Sequence, residues 1–186
     1  MSNIMRAAIV LSLITLVGFA PVVPLQAQTR EGVMGDLLNG VVEVEKKMLD
    51  LANAMPENAW AWRPLPGVRS TGEVFQHIAA DNYFMPALME IPAPKETGIT
   101  SEYQTAAAWE KRAMDKKAAI VELQKSFAFL RTSMTNATDA QLTTAYGRRK
   151  TSGRALWIAT LTHLHEHLGQ LIAYARSNKV TPPWSK

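Results

Sequence analysis

The chain has 186 residues, 47% hydrophobic and 19% charged, with a formal net charge of +4 and no cysteine. That length suits one domain, and that apolar content excludes a disordered chain. The absence of cysteine excludes a disulfide scaffold, a thiolate zinc site, a cysteine nucleophile and a lipid-anchored N-terminal cysteine.

Residues 1–27 read as a cleavable secretory signal. Arg6 is their only charge, an uncharged apolar run covers 7–20, Pro21 and Pro24 break it, and Ala27 offers a small residue at the cleavage point. The run is shorter than the roughly 20 residues a bilayer-spanning helix needs. The expected product is one mature domain, 28–186, in the periplasm or secreted, with no membrane attachment after cleavage. Removing Arg6 lowers the net charge to +3. The remaining cations are mixed with acids, as in Glu43, Glu45, Lys46 and Lys47, or Glu110, Lys111 and Arg112. Such mixing reads as solvated helix faces and excludes nucleic acid as a partner. The one basic run, Arg148-Arg149-Lys150, reads as a polar loop.

Over 30–55, apolar residues fall at Met34, Leu37, Leu38, Val41, Val44, Met48, Leu51 and Met55, three or four apart, which predicts a helix ended by Pro56. Residues 57–69 hold Trp60, Trp62, Pro64, Pro66 and Gly67, which predicts a loop with aromatic anchors. Ser70-Thr71-Gly72-Glu73 has the form of a capping box. It opens a second helix over 71–90, with Pro86 set to kink or break its last turn. A third helix is expected over 105–134, with Ala108, Trp109, Met114, Ala118, Val121, Leu123, Phe127 and Leu130 as its stripe. A polar connection follows, with a turn of helix at 139–143. A fourth helix runs from 151 or 152 to 178. No stretch alternates with period two. Four amphipathic helices bury their stripes most simply against one another, as an all-α four-helix bundle.

All four histidines fall on predicted helices: His77 on the second, and His163, His165 and His167 on the fourth. At about 100° per residue, His163 and His167 lie about 40° apart, one turn above the other. Two imidazoles need that spacing to share one ion. His165 points elsewhere and reads as exposed. The His163/His167 stripe also carries Ala159, Glu166, Gln170 and Tyr174, which suits either a polar cavity inside the bundle or one solvated face. His77, on a facing helix, could complete a three-histidine site. Three neutral nitrogen ligands leave open positions on Zn²⁺ or a similar ion, which could acidify a bound water towards a pKa of about 7.

The segments Trp60-x-Trp62-Arg63-Pro64, Gly67-x-x-Ser70-x-Gly72-Glu73-x-x-x-His77-Ile78-Ala79 and His163-x-x-x-His167-x-Gly169-Gln170-Leu171 stand in order along nearly the whole mature chain. Together they resemble the DinB-like superfamily of bacterial four-helix bundles. The resemblance implies a four-helix bundle, often a homodimer, with a divalent metal, zinc or nickel among those found, held by three histidines. By motif position these are His77, His163 and His167. Characterised relatives include transferases and isomerases that use low-molecular-weight thiols. The open metal positions and the export signal, taken with this resemblance, lead to the expectation of a metal-dependent hydrolase or transferase acting on an unidentified small molecule through a metal-activated water or thiol. The alternative is a non-catalytic metal or small-ligand binding module of the same fold. Gln170 and Tyr174 then line the cavity or orient a ligand. Glu166 is either an orienting group or general base, or a carboxylate paired at the bundle edge. Leu168 stands where the family often carries a basic residue before Gly-Gln.

Overall fold

The computed structural model describes residues 32–185. The expected signal segment, 1–27, lies outside them. Among the described residues no helix is long and apolar enough to cross a membrane.

Helix α1, Val33–Ala54, turns Met34, Leu38, Val41, Val44, Met48 and Leu51 inward. Pro56 then caps a short helix, α2, Glu57–Trp60, inside the stretch expected to be irregular. Helix α3, Thr71–Ala87, starts at the capping box: the Glu73 amide donates to Ser70 Oγ at 3.3 Å, and the Ser70 amide donates to Glu73 Oε2 at 2.7 Å. It stops one residue after Pro86.

The expected third helix is two. Helix α4, Tyr103–Glu110, ends at a break over 111–115, and α5, Lys116–Asn136, restarts from Asp115, whose carboxylate accepts from the Ala118 amide at 2.7 Å. Trp109, Leu123, Phe127 and Leu130 of the expected stripe are buried. Ala106 and Ala119 are buried, while Ala108, Ala118 and Val121, expected in the stripe, are exposed. Helix α6, Asp139–Thr143, falls where a helical turn was expected. A small hairpin follows, β1 (Ala145–Tyr146) against β2 (Thr151–Ser152), antiparallel with Ala145 opposite Ser152. Two residues per strand are too few to show alternation in the sequence. Arg148, Arg149 and Lys150 are exposed in its loop, as read. Helix α7, Gly153–Ser177, begins at Ser152, whose hydroxyl accepts from the Ala155 amide.

The four long helices, α1, α3, α5 and α7, form an all-α bundle in which α1 and α3 each pack on both α5 and α7. This arrangement sets α1 and α3 across the bundle from each other. Phe75, Phe127, Trp109 and Trp157 are among its fully buried side chains. The segment between α2 and α3 is pinned by its aromatics. Trp60 stacks on Phe75 with centroids 5.1 Å apart, and Trp62 meets Tyr174 edge-on, also at 5.1 Å. The stack needs Gly72, because a Cβ there would lie 2.3 Å from the Trp60 indole nitrogen.

Candidate metal centre

Helix α3 carries His77 and helix α7 carries His163 and His167, and because these helices pack together the three rings meet. His77 Nε2 lies 3.1 Å from His163 Nε2, and His167 Nε2 lies 3.0 Å from the same atom. The rings stand nearly perpendicular in pairs, at 74–85°. His77 and His167 are each only 8% exposed. His163 is half-buried and forms the open side of the cluster.

The opposite ring nitrogens decide what these Nε2 atoms can do. His77 Nδ1 donates to Glu110 Oε1 at 2.7 Å. His167 Nδ1 donates to Gln170 Oε1 at 2.8 Å. With the proton held on Nδ1, a neutral imidazole presents a lone pair at Nε2. Burial also favours the neutral form of His163 and His167. It pushes His163 down to about 3, with further lowering from His167, His77 and Arg69. It lowers His167 as well, against a smaller opposing effect of the Gln170 hydrogen bond. Lone pairs therefore converge on one point, where a cation or a proton must sit to avoid repulsion.

The separations fit an ion. Two nitrogens each about 2.1 Å from one centre stand about 3.0 to 3.4 Å apart as the angle opens from octahedral to tetrahedral. The donor set could hold a divalent metal, and three imidazoles without thiolate suit zinc, nickel, copper or iron.

Two of the three histidines are backed by a chain of hydrogen bonds. Behind His167, Gln170 Nε2 donates to the Tyr174 hydroxyl at 2.9 Å, and that hydroxyl donates to the Arg69 carbonyl at 3.3 Å. Gln170 thus holds the His167 ring, and Tyr174 holds Gln170. Behind His77, Glu110 also receives Arg69 Nη2 at 3.0 Å. Burial pushes the Glu110 carboxyl up, but the hydrogen bonds and charges of His77 and Arg69 outweigh it and hold the group below the usual carboxylate range.

His165 is exposed and its ring faces the Leu161 carbonyl of its own helix, 3.0 Å away. Glu166 is also exposed, and its charge reaches His167 only through space. The carboxylates that do reach the histidines are Glu110 and Asp81. Asp81, one turn after His77, brings Oδ2 to 3.2 Å from His163 Nε2 and 3.7 Å from His77 Nε2. Burial raises its pKa to about 6. Glu73 caps its helix and pairs with Arg63 at 2.9 Å, as the capping box implied.

Sequence reasoning missed Arg69 and Glu110. Glu110 reads as one charge in a solvated run, and its partner His77 lies 33 residues away on another helix. Beside the centre, a cleft of about 390 Å³ is lined by Trp60, Arg63, Gln76, Glu110, Arg112 and Met114 among others. It shares Glu110 with the centre, but none of the three histidines lines it.

The model of the DinB superfamily matches residues 41–171. Among solved structures, a DinB-like protein from Bacillus subtilis is 20% identical with a TM-score of 0.62, over 78% of this chain and 94% of that one. A DinB-like protein from Bacillus cereus is 15% identical with a TM-score of 0.61, over 83% and 97%. A conserved protein from Enterococcus faecalis is 13% identical with a TM-score of 0.64, over 79% and 97%. At these identities the likeness concerns the fold alone. No curated protein matches the chain.

Proposed function

The chain belongs to the DinB superfamily, and we propose that it binds one divalent ion, zinc or nickel, through Nε2 of His77, His163 and His167. We further propose that it acts outside the cytoplasm as a metal-dependent hydrolase or transferase on a small molecule. The observation that carries the reading is the convergence of the three Nε2 atoms while Glu110 and Gln170 hold the Nδ1 protons of His77 and His167. When bound, the ion supplies Lewis-acid activation of a nucleophile or of a substrate oxygen. The protein's part is orientation. Glu110, braced by Arg69, fixes the His77 ring and raises its basicity as a ligand; Gln170, braced by Tyr174, does the same for His167. The half-buried His163 leaves the route by which a small molecule reaches the centre.

The signal-like segment 1–27 supports an extracytoplasmic site of action. Outside the cytoplasm, hydrolysis needs no cytosolic thiol and is the more economical of the two reactions. One observation favours a second reading, a binding module without catalysis: the cleft beside the centre reaches Glu110 but not the histidines.

Elemental analysis of the purified protein beside His77→Ala, His163→Ala and His165→Ala tests the metal. The first two variants lose it and the third keeps it. Full metal content in both of the first two would overturn the assignment. A screen for chelator-sensitive hydrolysis then separates the readings: activity supports the enzyme, and none at full metal load supports the binding module.

A further inference from the structure

Resting on the metal-binding reading above, we infer that Asp81 is a fourth protein ligand, so that the centre is built from three imidazoles and one carboxylate. Two carboxylates approach His77, and they do so from opposite edges of its ring. Glu110 takes the Nδ1 proton from outside the cluster, at 2.7 Å. Asp81 faces Nε2, the nitrogen aimed at the common point, at 3.7 Å, and it faces His163 Nε2 at 3.2 Å. Both distances, to two of the three imidazoles, lie within the span open to ligand atoms that share an ion, and the nearer one is 0.1 Å longer than the wider of the two imidazole separations.

Helix geometry accounts for the placement. Asp81 follows His77 by four residues on α3, so the two side chains leave the same face one turn apart. Its side chain is 15% exposed, and the oxygen points at nitrogens that carry lone pairs. A carboxylate aimed at lone pairs is unfavourable unless a cation or a proton lies between them, and a divalent ion satisfies all four groups at once. Charge balance points the same way. Glu110 and Arg69 neutralise each other, and three neutral imidazoles leave the ion's two charges intact. Asp81 is then the one anion facing the common point from the α3 side, and it lowers the charge of the filled centre by one.

A fourth protein ligand has a consequence for chemistry. With four protein ligands a tetrahedral ion has no free position, whereas a five- or six-coordinate ion keeps one or two. Any reactivity of the centre would then require an ion that expands beyond four ligands.

Cobalt(II), whose visible ligand-field bands report its coordination, is the probe. It is titrated into the wild type, Asp81→Asn, Asp81→Cys and Glu110→Gln, each checked for its helical circular dichroism. Removing an outer hydrogen-bond partner of a ligand weakens metal affinity by about 10- to 100-fold. Asp81→Asn should weaken cobalt binding at least as much and shift the visible bands. Glu110→Gln should weaken binding and leave the band positions unchanged. Asp81→Cys introduces the single cysteine of a chain that otherwise has none, and direct coordination should give a near-ultraviolet thiolate-to-cobalt charge-transfer band. Cobalt-loaded Asp81→Cys without that band overturns the inference, as does Asp81→Asn with unchanged bands at any affinity. If the wild type itself takes up no cobalt, the metal reading falls and this inference falls with it.

Discussion

Replacing Glu110 by glutamine tests whether the centre depends on a residue that none of its ligand spacings reveals. The carboxylate receives two donors, His77 Nδ1 at 2.7 Å and Arg69 Nη2 at 3.0 Å. An amide of the same shape has one oxygen, so it can accept from only one of them, and its NH₂ group then opposes the other donor. If the oxygen stays on His77, a charged hydrogen bond becomes neutral, a loss of about 1 to 1.5 kcal/mol. If the oxygen turns to Arg69, His77 loses its acceptor and is free to move its proton to Nε2, where it blocks coordination. The side chain of Glu110 is 13% exposed, so solvent screens little of this. At about 1.4 kcal/mol per tenfold, the first case weakens zinc binding roughly tenfold, and the second towards a hundredfold. A competition titration of zinc against a chromophoric chelator measures it, with the melting temperature of the metal-free protein as the check on folding. An affinity within twofold of the wild type would refute the orienting role of Glu110 and the tautomer assigned to His77.

Three further outcomes concern the scaffold. Gly72→Ala sets a Cβ 2.3 Å from the Trp60 indole nitrogen and must shift the Trp60–Phe75 stack; overpacking costs about 1–3 kcal/mol, a fall of a few degrees in melting temperature, and an unchanged melt would refute it. Ser126→Ala removes the acceptor of Asn82 Nδ2, 3.0 Å away at a position 1% exposed, so unfolding in urea should show a loss of about 1–3 kcal/mol. Burial raises the Glu73 carboxyl, but its hydrogen bond to Ser70 and its contacts with Arg63 outweigh that and hold it below its usual 4.5. A depressed folded-state pKa contributes stability above the unfolded value and loses it as pH falls through the folded one. Glu73→Gln should therefore be less stable than the wild type above about pH 4.5, with the difference shrinking below it; a constant difference down to acid unfolding would contradict the shift.

The helices legible in the sequence are those whose ends are set by local chemistry. The capping box at Ser70 and the proline at 86 bracket α3, and Ser152 starts α7, because each acts on backbone groups within one turn. The division between α4 and α5 has no such mark. Residues 105–134 contain no proline and no glycine, and the sole local sign is Asp115, one of several polar residues in a charged stretch. Pattern alone carries the stripe through 111–115 and so assigns Ala108, Ala118 and Val121 to a core that takes Ala106 and Ala119 instead. The choice there is made by packing: α4 lies against α3, while α5 packs on both α1 and α3.

The same division between local and tertiary encoding runs through the centre. On α7, ligand and support share one helix face: His163, His167, Gln170 and Tyr174 lie three or four residues apart, so one periodicity places them all. On α3, His77 carries Asp81 with it one turn later, yet its outer support comes from Glu110, 33 residues away on another helix. No spacing rule reaches across that distance. Glu110 is the last residue of α4, immediately before the break at 111–115. The break that sequence periodicity overlooks and the carboxylate that spacing overlooks thus adjoin one another in the chain.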